Sequence, residues 1–221
     1  MAGLEKAGVK LSENIEELVK RSDAVIDFSA AESTVKAVKL TAKYQKIHII
    51  GTTGLDDSQK KELEKAAKKT AIVFAPNMSV GVNILMALTE KVARILDDSY
   101  DIEILEMHHS HKKDAPSGTS LGLGRAAAEG RGVSLAKVEK RTRDGITGER
   151  KKGEIGFATL RGGDVVGDHT VIFAGAGERI ELTHKAGSRA IYAGGAVRAA
   201  LWAKGKKHGL YSMQDVLGLS A

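Results

Sequence analysis

Three of the seven histidines, His108, His109 and His111, fall within four positions and are followed at once by Lys112 and Lys113. They belong to the stretch 106–119, E-M-H-H-S-H-K-K-D-A-P-S-G-T. Histidine titrates near neutrality and is the commonest general acid or base. Lysine keeps its charge unless buried and suits a carboxylate or a developing negative charge. On a helix His108 and Lys112 would share a face. Pro116 and the strand pattern before the histidines argue instead for a loop, in which the two can still converge. Ser117-Gly118-Thr119 reads as a helix start, whose N–H groups attract an anion. Together these groups could hold a dicarboxylate and protonate it.

Two other readings of the stretch stay open. One is a solvated basic loop. The other is a metal site, because neutral imidazoles bind zinc, copper or nickel. Against a metal, His108 and His109 are adjacent and point apart in an extended chain, and no H-E-x-x-H pattern is present. No metal is therefore expected, and His48, His169, His184 and His208 are expected to be structural or exposed.

The elements that must position these groups alternate in type. A helix is predicted after Ser12 as cap, with Leu11, Ile15, Leu18 and Val19 at helical spacing. Ala24-Val-Ile-Asp-Phe28 is predicted as a strand buried on both faces, and Ser29 as the cap of a second helix carrying Val35, Val38 and Ala42 inward. Residues 47–50 and 71–75 give two further strands, with a Lys/Glu-rich helix capped by Asp56 or Asp57 between them. Such alternation signals a doubly wound parallel sheet, whose ligands bind beyond the carboxyl ends of the strands. Gly51, Thr52 and Thr53 lie at one such end, and Ala75, Pro76, Asn77 and Met78 at another. Either segment alone reads as an ordinary turn; their shared position favours a ligand site.

From Ser79 the pattern changes. A long apolar helix is predicted to about Ile95, then a half-buried strand over 100–107 leading into the histidines, then a helix from Thr119 to about Gly130. Residues 140–154 are predicted as a mobile surface loop. Strands 155–161, 165–174 and 178–185 are predicted as an antiparallel group, followed by a helix from Ser188 to about Lys206 and a closing helix over 212–217. Gly194-Gly195 implies a close backbone contact or a kink in the longer of these helices. The fold class is α/β: an incomplete Rossmann-like parallel sheet plus an α+β domain with a mixed sheet. Residues 1–79 and 190–221 are assigned to the first domain and 80–189 to the second.

Composition narrows the function. A chain of 221 residues with 42% hydrophobic and 28% charged residues can bury a sizeable core. With no cysteine, disulfides, thiolate metal sites and cysteine nucleophiles are excluded. No apolar run is long enough to span a bilayer and no signal peptide is recognisable, so a cytoplasmic protein without a membrane partner is expected. The net charge of +6 suits an anionic partner. Its charges are spread along the chain and aromatics are only 4%, so small acids are favoured over nucleic acid. The G-x-G-x-x-A run from Gly122 to Ala127 follows a turn and lies inside a predicted helix, so it is read as a decoy for a dinucleotide fingerprint.

The run at 106–119 resembles the signature of the 4-hydroxy-tetrahydrodipicolinate (dihydrodipicolinate) reductases of diaminopimelate and lysine biosynthesis. The resemblance extends to Asp27-Phe28-Ser29, Gly51-Thr-Thr-Gly54, Ala75-Pro-Asn-Met-Ser79 with Gly81-Val-Asn83, and Ser188-Arg189 through Gly195 to Trp202. It implies reduction of a cyclic, conjugated imine dicarboxylate by NADPH or NADH. His108 would be the proton donor and acceptor and Lys112 the second acid group. His109, Gly118 and Thr119 would contact the substrate carboxylates. Gly51, Thr52, Thr53, Ala75, Pro76, Asn77 and Met78 would hold the cofactor near its nicotinamide. A homotetramer built through the sheet of the second domain is also implied. Family members open with a strand, a Gly-rich phosphate-binding turn, a helix and a second strand, and residues 1–9 resemble the family from after that unit. An N-terminally shortened cofactor domain with weak NAD(P)H affinity is thus expected. The alternative is a shortened, non-catalytic binding or oligomerising relative.

Overall fold

In the computed structural model, which describes residues 8–9 and 11–219, the apolar runs of the first third form β1 (Ala24–Asp27), β2 (Ile47–Ile50) and β3 (Ala71–Phe74). They pair in parallel, Asp27 opposite Ile50 and Ile50 opposite Phe74, so their carboxyl ends share one edge. The intervening helices are α1 (Ile15–Arg21), α2 (Ala31–Lys43) and α3 (Asp57–Ala67). α3 begins with a reciprocal capping box between Asp56 and Gln59, which closes its N-terminus. Val38, Leu63 and Ala66 bury α2 and α3 against Ile50 and Ile72.

Three expectations for this region are corrected, and one strand is added. Asn14, not Ser12, caps α1, while the Ser12 hydroxyl accepts from the Asn14 N–H. Ser29 does not cap α2, because its N–H and hydroxyl both donate to the Asp27 carboxylate, leaving Ala30 at the cap. β1 is not covered on both faces: it is an edge strand of the order β1-β2-β3-β9, with Ile26 43% exposed. The fourth strand, β9 (Gly209–Tyr211), pairs parallel to β3 and was not predicted; three residues are too few to show a period.

The second sheet has the order β5-β6-β4-β7-β8. Its strands are β4 (Asp101–His108), β5 (Glu139–Lys140), β6 (Ile155–Arg161), β7 (Gly167–Ala174) and β8 (Arg179–Ala186). The helices α4 (Val80–Ile95) and α5 (Gly118–Gly130) cover one face, where Leu85, Ala93, Leu123 and Ala127 pack on Ile102, Ile104, Ile155, Phe157, Val171 and Phe173. A short α6 (Leu135–Val138) leads into β5. The expected antiparallel trio is corrected: β7 and β8 are antiparallel, but β6 joins β4 in parallel. The chain between β4 and β6 carries α5, and a helical crossover returns the chain in the same direction. Segment 140–154 is likewise no free loop. Arg150 donates to Asp101 Oδ1 at 2.6 Å and Glu103 Oε1 at 3.0 Å, and Arg143 donates to both Glu103 oxygens at 2.8 Å. Those acids stand on the sheet, where no linear pattern could reveal them as partners.

The chain ends with α7 (Ala190–Ala203), β9 and α8 (Met213–Leu217). It divides into two compact units: Met1–Ala75 with Ala199–Ser212, and Pro76–Arg198 with Met213–Ala221. The division runs inside α7 and gives α8 to the second unit, where Gln214 donates to the Asn83 carbonyl at 3.3 Å.

The Gly194-Gly195 pair has two different environments. A Cβ on Gly195 would lie 1.8 Å from the Met78 carbonyl oxygen, whereas one on Gly194 would meet nothing within 4 Å. Gly195→Ala is therefore expected to destabilise the protein by about 1–3 kcal/mol through a forced backbone shift. Gly194→Ala, at a comparable helical position in open space, is expected to be neutral or to stabilise by up to about 1 kcal/mol. Urea unfolding of the two variants checks the contrast.

Candidate functional site

The pleat of β4 places alternate residues on one face, so Glu106 and His108 follow Ile102 and Ile104 to the covered side. Glu106 is 1% exposed and His108 8%. The register sets Thr159 and Arg161 of β6 opposite them on one side and His169 of β7 opposite Glu106 on the other. Glu106 then accepts from Arg161 Nη1 and Nη2, both at 3.0 Å, from the Ser117 N–H at 3.1 Å and from Thr159 Oγ1 at 3.3 Å. His108 Nδ1 also meets this carboxylate, and since an ionised carboxylate only accepts, Nδ1 is the donor.

These contacts set the charges. Burial alone would raise the Glu106 carboxyl, but the bonds from Arg161, His108 and Ser117 outweigh it and hold the group below its ordinary range. Burial pushes His108 below an ordinary histidine, and Lys112 and Arg161 add to that; the bond and charge of Glu106 pull the other way. His169 is lowered to about 4, chiefly by burial and then by His108. Its ring meets His108 edge-on at 5.1 Å, and its Nε2 lies 3.1 Å from Ser117 Oγ.

Ser117 also caps α5, its Oγ accepting from the Ser120 N–H at 3.1 Å. The buried cluster is thus tied to the helix start that carries Gly118, which is exposed, and Thr119, which is half-buried. Thr119 Oγ1 accepts from Asn77 Nδ2 at 3.1 Å, so a residue expected on the cofactor side is joined to one expected on the substrate side. The segment after His108 is fixed by its backbone: His109 N–H donates to the Val165 carbonyl at 2.7 Å and Lys112 N–H to the His109 carbonyl at 3.1 Å. Lys112 pairs with Asp114 at 2.9 Å, and that bond holds the Asp114 carboxyl below its ordinary value. Arg189 Nη2 stands 3.5 Å from His109 Nε2, adding a guanidinium beside the imidazole.

In the first unit, segment 51–53 follows β2. The Gly51 N–H donates to the Asp27 carbonyl at 2.9 Å. Thr52 is buried and its hydroxyl is spent inside, accepting from Thr34 Oγ1 at 2.9 Å, while Thr53 is exposed. Phe28 is 52% exposed beyond the end of β1, and its ring lies where a Cβ on Gly51 would be, 2.2 Å from the ideal position. Ala75 and Met78 are buried, Asn77 half-buried and Pro76 exposed.

Glu106, Arg161 and His169 gather around His108 without standing out as site residues in the sequence. The period-two pattern of 101–108 already put Glu106 on the face of His108, but Arg161 and His169 arrive through strand register. His48, expected only to be structural or exposed, is fully buried beside Asp27. Among the described residues, Glu106, His108 and His169 form a group whose ligand atoms lie within 4.8 Å of one another. Arg161 already occupies the Glu106 carboxylate, so a cation there would have to displace or face a guanidinium.

Residues 1–78 match the family model for the dihydrodipicolinate reductase N-terminus and 81–217 that for its C-terminus. A 4-hydroxy-tetrahydrodipicolinate reductase of Rhodopseudomonas palustris (strain BisB18) is 56% identical over 220 residues, 100% of this chain and 81% of that protein. The same enzyme of Ruegeria sp. (strain TM1040) is 56% identical over 212 residues, 96% of this chain and 79% of that protein. Among solved structures, a dipicolinate-bound dihydrodipicolinate reductase from Paenisporosarcina sp. TG-14 shares the fold at a TM-score of 0.71 and 24% identity, covering 92% of this chain and 77% of that one.

The depressed His169 makes stability pH-dependent. The unfolded side chain takes up a proton near 6.5 and the folded one only near 4, so stability is full above 6.5 and falls as pH drops between those values. The loss attributable to His169 is on the order of 3 kcal/mol. His169→Gln should therefore lose less stability than the parent between pH 7 and pH 4.5, as measured by denaturant unfolding at each pH.

Proposed function

Because the chain belongs to the dihydrodipicolinate reductase family, we propose that it reduces 4-hydroxy-tetrahydrodipicolinate to tetrahydrodipicolinate with NADPH or NADH, in lysine and diaminopimelate biosynthesis. The observation that carries this reading is the setting of His108: buried at the end of a strand, anchored through Nδ1 and flanked by a cation and a helix start. Gly118, Thr119 and His109 would bind the substrate carboxylates, with Arg189 beside His109 as a further cation. Lys112 would be the second acid group and would offset negative charge as it develops on the ring. His108 would deliver its Nε2 proton to the ring carbon and recover a proton afterwards. The second unit is thereby the substrate-binding and oligomerising part, and the first the dinucleotide-binding part.

When bound, the reduced nicotinamide supplies the hydride. The residues at the carboxyl ends of β1–β3 suit that ring. Phe28 offers an exposed aromatic face backed by the Gly51 backbone, and Thr53 and Gly54 leave polar groups open beside it. Ala75, Pro76, Asn77 and Met78 are the further residues that would hold the cofactor, and Asn77 is bonded to Thr119 within the second unit. The capping box closes the start of α3 with a carboxylate, so the turn 51–54 is assigned to the nicotinamide end rather than to the phosphates.

We place the enzyme in the cytoplasm, in keeping with a chain that has no cysteine and no described helix long and apolar enough to cross a membrane. We also propose a homotetramer assembled through the face of the second sheet that α4 and α5 do not cover. Leu105, Met107, Leu160 and Ile172 stand on that face, Leu160 being 48% exposed.

Two measurements test these readings. His108→Gln should lower kcat by about 100-fold or more while pyridine-2,6-dicarboxylate still binds in calorimetry. An unchanged kcat would remove His108 from the chemistry. Leu160→Glu with Met107→Glu should shift the sedimentation coefficient from tetramer to smaller species, because burying unpaired carboxylates at an interface is costly; an unmoved tetramer would place the interface elsewhere.

A further inference from the structure

We infer that Glu106 is the positioning residue of this site: held by Arg161 and the Ser117 N–H, it fixes His108 as the Nδ1–H tautomer. Nε2 is then the one ring nitrogen able to exchange a proton with a ligand. The inference rests on the proposed role of His108 and adds a residue that acts through it.

Geometry supports each part. The carboxylate is 1% exposed and takes two parallel bonds from Arg161 at 3.0 Å, which orient its plane as a bidentate pair does. Ser117 N–H and Thr159 Oγ1 occupy further acceptor sites at 3.1 and 3.3 Å. Such a group stays ionised and accepts only, so it cannot be the proton donor to substrate, and it forces a proton onto the nitrogen that faces it. Nε2, the opposite ring atom, lies 3.0 Å from where a Cβ on Gly167 would sit, so a glycine leaves the space around it open. His169 meets the ring edge-on and turns its own Nε2 to Ser117, so it holds the imidazole plane without competing for either nitrogen.

The charges around His108 give Glu106 a second effect. Arg161 comes from β6, His169 from β7 with His184 next to it on β8, and Lys112 with its partner Asp114 from the following loop. The start of α5 brings the Ser117 N–H and hydroxyl. Two of these groups are permanent cations, and each opposes an imidazolium. Glu106 is the anion in direct contact with His108, and it allows His108 to hold the proton that it is to donate.

The test begins on the unaltered protein. In histidine-labelled protein, 15N imidazole spectra recorded across pH, with His108 assigned by its loss in His108→Gln, should show a neutral form protonated at Nδ1. A neutral form protonated at Nε2 would overturn the inference. In Glu106→Gln, the alkaline limb of the kcat profile, where the donor is deprotonated, should move to lower pH by about one unit or more. A kcat lowered equally at every pH with an unmoved limb would make Glu106 a packing residue only. If His108→Gln keeps its rate, the proton-donor reading fails by itself. If it loses its rate while the Glu106→Gln limb stays, only the positioning role fails. Should Glu106→Gln not fold, the tautomer spectrum of the parent decides.

Discussion

A carboxylate with almost no contact with water governs the second unit. An isolated charge at that depth would cost several kcal/mol and would be expected to neutralise instead. Glu106 stays ionised because Arg161, Ser117, Thr159 and His108 converge on it from one neighbouring strand, a helix cap and its own strand. Each of those groups is thereby located by the same charge. Arg161 fixes the end of β6, Ser117 fixes the start of α5, and His108 is turned to a single orientation. The substrate half of the proposed site is a consequence of satisfying one buried ion.

This explains why the motif is so dense. The strand must deliver Glu106 and His108 two residues apart, so that both reach the covered face. The chain must then leave the sheet and begin a helix within about ten residues, so that the Ser117 N–H can return to Glu106 while Gly118 and Thr119 follow in the first turn. The hydroxyl of Ser117 serves as both helix cap and partner of His169. A site made of scattered groups could tolerate a slipped element. Here a one-residue slip of β4 would turn Glu106 and His108 to the opposite face.

How far sequence reaches can be judged from the same residues. The helix starts at Asp56 and Ser117 were legible because capping is local chemistry, although the same rule misplaced the caps at Ser12 and Ser29; the Gly194-Gly195 pair was legible as a close contact or a kink because a glycine within a helix needs a reason. The alternation of 101–108 is legible too, and its period places Glu106 on the face of Ile102 and Ile104. Arg161 lies 55 residues from Glu106 and His169 lies 52 from Ser117. Such partners are set by register, which a single sequence does not encode in any local pattern. The parallel entry of β6 escaped for the same reason, as did the anchoring of segment 140–154 on Glu103.

The first unit shows that the device is not peculiar to the histidine site. Asp27 closes β1 as Glu106 approaches the end of β4. It is 7% exposed, accepts from the Ser29 N–H at 2.9 Å and hydroxyl at 2.6 Å, and takes the Thr52 hydroxyl at 3.3 Å. Burial would raise its carboxyl, but His48, Ser29 and Thr34 hold it well below the ordinary range. His48 in turn is seated by Thr41, 3.1 Å from its Nδ1. The carboxylate draws Ser29 away from the α2 cap and Thr52 inward, and by doing so leaves the backbone and Thr53 as the open part of segment 51–53. A threonine pair that reads as two exposed hydroxyls is in fact one structural hydroxyl and one available one, and the difference is made by a buried acid. In both units a strand-end carboxylate is stabilised by neighbours of distant origin, and the groups left free around it are those with room to meet a ligand.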